Sequence, residues 1–398
     1  MKRLLIIFLI LFSLTGINLF QIESVIITPF HIFSVVFVFV TLLYQKQRLP
    51  TNMKYVFFIL LSIIFSILIN ATTFIGFNTF IHSMFYMLIY CIVLLNLKKI
   101  TLEMFIASLK IIIIIYFICV LFALITVSLH LNNNFINQFF GAIYDTKQME
   151  YRYYGFSSEP SYMAIIVSFA MFALFIINKA KKIDGIFLFF IMYGIIIFLS
   201  KSGYGYIFLL VISIFEYSKY LKGKRAIILA SIVALSVFIF FNYKSEGRFA
   251  KILVTIFSNT SFTNKIEAWK FVDSSSYFRI GPTLWLMDNI DLFSLRTLFG
   301  HGMGADREFF YKFSPGYNFG YLNLGFIPSF IYTNGLLLFS FMLYFFYQIQ
   351  KEVRSFLLFF AFSIILFNCG FATQIFWFII SLLTILSNLC EKLKHDNT

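Results

Sequence analysis

Apolar runs of about 20 residues recur from one end of this chain to the other, broken only by short polar segments. In a bilayer such a run can only be a helix, because hydrocarbon offers no partner for an unpaired backbone group. Composition agrees: 61% of the 398 residues are hydrophobic, 58 are phenylalanine and only 12% are charged. A soluble domain carries about 25% charged residues and has no way to hide this much apolar surface. The expected fold class is therefore an all-α polytopic integral membrane protein.

The net charge of +14 would point to nucleic acid in a soluble protein. Here the lysines collect in short loops between apolar runs, as the positive-inside rule requires. No nucleic-acid partner is expected. Cys91, Cys119, Cys369 and Cys390 all lie in or at the end of apolar runs and read as small hydrophobes, not as a disulfide or metal set. The first twenty residues resemble a signal peptide but lack an A-x-A-like cleavage site, and a second apolar run follows at once. They are read as an uncleaved first helix.

The apolar pattern predicts about 12 transmembrane helices, near residues 4–20, 24–44, 54–71, 74–96, 104–128, 161–178, 185–200, 203–217, 226–243, 322–348, 355–371 and 374–390. If Lys2 and Arg3 are cytoplasmic, the inner segments are QKQR (45–48), LKK (97–99), KAKK (179–182), SKYLKGKR (218–225), QIQKEVR (348–354) and the EKLKH tail. All are basic, so both termini are expected to be cytoplasmic. Residues 1–398 then form a single membrane domain with two large external loops, 129–160 and 244–321. The second loop includes the amphipathic stretches FTNKIEAWKFV and GPTLWLMDNIDLF, expected to lie along the membrane surface.

The first loop ends in YRYYGFSSEPSYM (151–163), a compact polar cluster in an otherwise hydrocarbon-soluble chain. Arg152, and Arg279 in the second loop, could each offer a planar fork of donors to phosphate oxygens. Pairing with a nearby carboxylate or a lipid headgroup is the blander reading of both. Glu159 precedes Pro160, which favours the first position of a helix. Its carboxylate is either a contact for the helix dipole or a general base for an attacking hydroxyl.

Tyr154 stands in the same cluster as a candidate substrate contact. GHGMGAD (300–306) permits a tight backbone, with His301 and Gly302 as candidate ligand contacts, although a loop histidine is more often simply solvated. Lys201, in the short turn LSKSGYG, either faces the same cavity as Arg152 or snorkels to headgroups. Lys110, inside the fifth run, is left unassigned. The sequence contains no H-E-x-x-H, D-x-D or Walker loop and no Ser/His/Asp series. No metal or other cofactor is expected.

Together these residues resemble the Wzy-type polysaccharide polymerases of the O-antigen ligase and polymerase superfamily. The resemblance rests on R-x-x-G-x-x-x-E-P-S (Arg152, Gly155, Glu159, Pro160, Ser161) at the head of a middle helix. It extends to Arg279, Trp285 and the glycine turn Gly300, Gly302, Gly304, and to TNGLL (333–337) in the helix that follows. It implies a GT-C-like, metal-independent glycosyltransferase that uses undecaprenyl-diphosphate-linked oligosaccharides as donor and acceptor. Arg152 and Arg279 would hold the diphosphate, and Glu159 would orient or deprotonate the acceptor hydroxyl. A chain-length regulator and a flippase are the partners that the resemblance brings with it.

Related ligases carry a histidine, often as His-Asn, before the helix after the glycine turn. Here that region reads GYNFGYLNLG (316–325), without one, which favours polymerase over ligase. The alternatives are an O-antigen ligase and a lipid-linked oligosaccharide flippase. A flippase should have short loops on both faces and charges along its helices.

Overall fold

The computed structural model describes residues 2–17, 19–22, 25–44, 64, 74–129, 142–145, 150–217, 286, 291, 294–302, 304–306, 326–350, 353, 369–371 and 373–396. The expected spans 226–243 and, save for a residue or three, 54–71 and 355–371 lie outside these, as do Arg279 and Trp285. The described chain is mostly helical: α1 (Lys2–Ser13), α2 (Pro29–Tyr44), α3 (Phe74–Asn96), α4 (Leu102–Ser128), α5 (Pro160–Ala180), α6 (Ile186–Ser200), α7 (Gly203–Tyr217), α8 (Leu295–Phe299), α9 (Phe326–Gln350) and α10 (Gln374–Asp396). Five stretches among them are long and apolar enough to cross a membrane: Phe80–Lys99, Leu102–Ser128, Pro160–Ala180, Phe326–Ile349 and Gln374–Leu393.

Helix α5 is the centre of the bundle. Its most apolar window is 89% buried, and it packs against α4, α6, α7 and α10. Small residues let its neighbours close in: Ala164 faces Gly205 of α7, where an added Cβ would stand 3.1 Å from the Ala164 Cβ. Hydroxyl pairs link other helices, with Ser168 and Tyr193 at 2.9 Å and Tyr90 and Thr384 at 2.9 Å. The Lys181 ammonium donates to Glu103 at 3.0 Å, so the basic segments 97–99 and 179–182 share one end of the α4–α5 pair. The Arg152–Glu159 segment leads into the opposite end.

Two sequence expectations need correction. The first span does not run to residue 20, nor does the second start at 24. Helix α1 stops at Ser13, and Phe20–Ile22 (β1) pairs antiparallel with Val25–Ile27 (β2), with Phe20 opposite Ile27 and Ile22 opposite Val25. At 12 residues, α1 extends roughly 18 Å, short of a bilayer core of about 30 Å. It ends early because other helices take its last carbonyls: Tyr116 of α4 donates to Ser13 at 2.6 Å, and Gln374 of α10 donates to Phe12 at 2.9 Å.

The first large loop also departs from an all-α chain. Ala142–Asp145 (β3) and Glu150–Tyr153 (β4) form a second antiparallel hairpin, with Arg152 opposite Ile143. Strand β4 packs on α4 and α6. Both hairpins are small beside the helices, and neither extends into a larger sheet among the described residues.

Candidate functional site

The Arg152–Glu159 segment is a built turn. After Tyr153 the chain reverses, with the Ser157 amide donating to the Tyr154 carbonyl at 3.0 Å. Gly155 makes the reversal at φ +52, and a Cβ there would stand 3.1 Å from the Tyr116 ring. The turn then docks on the end of α1: the Gly16 amide donates to the Phe156 carbonyl at 2.8 Å, and the Thr15 and Ser157 hydroxyls lie 3.2 Å apart. The end of α1 and Tyr116 of α4 therefore support the turn.

Glu159 occupies the N-cap of α5, with Pro160 in the first turn as the sequence predicts. Its side chain does not cap the helix amides. The carboxylate instead accepts from the Ser161 hydroxyl at 3.2 Å and is exposed. This position, at the head of α5 and open to solvent, is compatible with both a helix-dipole contact and a general base. Arg152 is half-buried on β4, and Tyr154 is half-buried beside it, with burial raising its phenol pKa above the ordinary range.

Lys201 sits on the α6–α7 turn, and α6 packs against the strand that carries Arg152. Its φ of 49 makes it the one non-glycine residue with positive φ among the described residues. It is the C-cap of α6, where a left-handed residue commonly ends a helix, at a cost of roughly 1–2 kcal/mol for an L-residue. Lys110 is engaged elsewhere: its ammonium donates to the Asp184 carbonyl at 3.1 Å and lies over the Phe189 ring.

The second group is built around GHGMGAD. Ser294 caps α8, accepting from the Thr297 amide at 3.0 Å, and Gly300 ends it at φ +88. The loop then meets α9 where that helix is broken, at Gly335 with φ 82 and ψ 165. The break frees backbone carbonyls, and the loop answers them: the amides of His301 and Gly302 donate to Tyr332 and Thr333 at 2.9 and 3.0 Å. The His301 ring lies flat on Tyr332, with centroids 4.1 Å apart and planes 1° apart. This histidine is packed, not simply solvated.

Asp306 accepts a hydrogen bond from the Ser329 hydroxyl, which ties the far end of the loop to the same helix. The structure thus gathers Arg152, Tyr154 and Glu159 in one short segment, with Lys201 on the turn that follows a helix packed against β4. It sets His301 and Gly302 on a separate loop seated on α9. Sequence reasoning missed the supports Thr15, Gly16, Tyr116 and Gln374 and the α9 partner Tyr332, and it had Asn334 only within the TNGLL run. The glycines at 16 and 335 were their only local signal. Comparison with models of known families and with curated proteins finds no match for this chain.

Proposed function

We propose that this protein is a polysaccharide polymerase of the bacterial plasma membrane, acting on undecaprenyl-diphosphate-linked glycans at the outer face. In this reading the chain crosses the membrane twelve times with both termini cytoplasmic, and the two large loops lie outside. The observation that carries it is the Arg152–Glu159 turn: a half-buried guanidinium and an exposed carboxylate in one short segment at the head of a largely buried helix. That pairing suits transfer from a diphosphate leaving group to a hydroxyl.

Arg152, with Lys201 nearby and Arg279 from the second loop, would neutralise the diphosphate as the bond between it and the sugar C1 breaks. Charge-assisted contacts of this kind contribute about 1.5–3 kcal/mol each. The acceptor sugar oxygen forms the new bond to C1, its proton passes to the Glu159 carboxylate, and undecaprenyl diphosphate leaves. Proton and charge balance without a metal. A chain-length regulator and a flippase would act on the same lipid-linked pool.

Transport of the lipid-linked unit is the second reading, and the broken α9 favours it, because discontinuous helices often build transporter sites. One experiment separates the two. Purified protein in sealed vesicles is given a lipid-linked repeat unit on one face. The polymerase reading predicts a ladder of longer glycans. Movement of the intact unit across the vesicle with no ladder would overturn it.

A further inference from the structure

Two side chains where the 300–306 loop meets α9, His301 and Asn334, each turn a nitrogen toward the protein. The His301 Nδ1 stands 3.2 Å from the Tyr332 carbonyl, and a carbonyl only accepts, so Nδ1 carries the proton. Burial holds this imidazole's pKa below the ordinary histidine value, outweighing the Tyr332 carbonyl, which pulls it upward. The ring is therefore neutral, and Nε2 holds a lone pair. It is set up to accept, not to donate to a phosphate.

Asn334 repeats the pattern two residues beyond Tyr332. Its Nδ2 donates to the Thr333 hydroxyl at 2.7 Å, and that hydroxyl donates its own proton to the Ser329 carbonyl at 2.7 Å. In this orientation Nδ2 has an acceptor while the Thr333 proton serves the Ser329 carbonyl. Asn334 is 4% exposed, and its Oδ1 has no hydrogen-bond partner among the described residues. A buried acceptor in that state is unfavourable until a donor reaches it. The Asp306 carboxylate, also at this junction, accepts from Ser329.

We propose that the junction of the 300–306 loop with the broken helix α9 is a sugar subsite, in which His301 Nε2 and Asn334 Oδ1 accept hydrogen bonds from glycan hydroxyls. The inference rests on the polymerase reading for its substrate class, and it divides the labour of that site. Cationic donors at Arg152 and Lys201 suit the diphosphate, whereas the two acceptors at this junction, His301 Nε2 and Asn334 Oδ1, suit hydroxyls. Asn334 Oδ1 lies at the break itself, where the helix backbone already departs from its ladder.

The test uses full-length protein in lipid nanodiscs with ring-¹⁵N histidine. The chain has five histidines, and His301→Gln identifies the signal of interest. Galactose, N-acetylglucosamine and inorganic pyrophosphate are titrated in turn, followed by potassium chloride. The expected result is a resting ring with Nδ1 protonated, whose Nε2 resonance moves with at least one sugar and not with pyrophosphate or salt. Asn334→Leu should then weaken binding of that sugar by roughly fivefold to tenfold.

A ring protonated at Nε2 would overturn the proposal. So would a response to pyrophosphate or potassium alone, or no response to either sugar at its solubility limit. If Asn334→Leu does not fold, the parent titrations decide alone. The same nanodiscs are assayed for glycan ladders: a ladder without a sugar response sinks the subsite and spares the polymerase. A sugar response without a ladder does the reverse.

Discussion

Gly300 and Gly335 meet backbone to backbone: a Cβ on Gly335 would stand 2.6 Å from the Gly300 nitrogen, and one on Gly300 would overlap the Thr333 carbonyl. Both have positive φ, so a side chain would add strain of about 1–2 kcal/mol to the overlap. Gly300→Ala and Gly335→Ala should each lower stability by more than about 2 kcal/mol. Gly185 provides the control, with φ +74 but nothing within 4 Å of an added Cβ. Gly185→Ala should lose only the strain, and thermal melts of the three variants in one detergent check the order.

Gly16 bears the same relation to the Arg152–Glu159 turn, since a Cβ there would overlap the Ser157 backbone. Gly16→Ala should push the turn off the end of α1. The expected outcome is a loss of glycan transfer larger than the loss of thermal stability. A variant that melts early but transfers normally per folded molecule would show that the turn is not held from α1.

The carbonyls of α1 make a separable prediction. Tyr116→Phe and Gln374→Leu each remove one donor to them, and each should cost about 1 kcal/mol. The two act on neighbouring carbonyls of one helix end, so the double variant should depart from additivity. A double-mutant cycle on the melting free energies measures that coupling.

The low pKa of His301 sets a direction for pH. The unfolded chain takes its proton near pH 6.5, before the folded protein does. This contribution to stability is therefore full above about pH 6.5 and declines as pH falls through that value toward the folded pKa. Between about pH 7 and pH 5, the parent should lose more thermal stability than His301→Gln. Equal losses would show that this ring is not held neutral by the fold.

Lys201 carries a backbone cost that glycine would not. Lys201→Gly should raise stability by roughly 1 kcal/mol while Lys201→Ala leaves it near the parent value. Both should lower transfer if the ammonium serves the diphosphate. A gain in stability with unchanged transfer would make the lysine a headgroup contact.

Much of the bundle was legible because its information is local. Pro160 marks the start of α5, and the apolar runs at 104–128, 161–178 and 374–390 each became a long helix, because a bilayer-length stretch has few alternatives. The hairpin at Phe20–Ile27 was not legible, since a short apolar run reads equally as strand or helix. Its existence depends on α1 stopping at Ser13, which Tyr116 and Gln374 determine from 103 and 362 residues away. In the candidate site, the turn at Gly155 and the glycines of the second loop were visible as residue types. The direction of the His301 proton was not, because it depends on the Tyr332 carbonyl that the α9 break releases.

The most direct test of the account is the glycan ladder itself, made by purified protein in lipid from a defined undecaprenyl-diphosphate repeat unit. Arg152→Ala and Glu159→Gln are compared with the parent after equal folding is established. The account predicts a ladder with the parent and a loss of at least about tenfold in its rate for each variant. A parent that makes no ladder, or variants that extend glycans at the parent's rate, would contradict it.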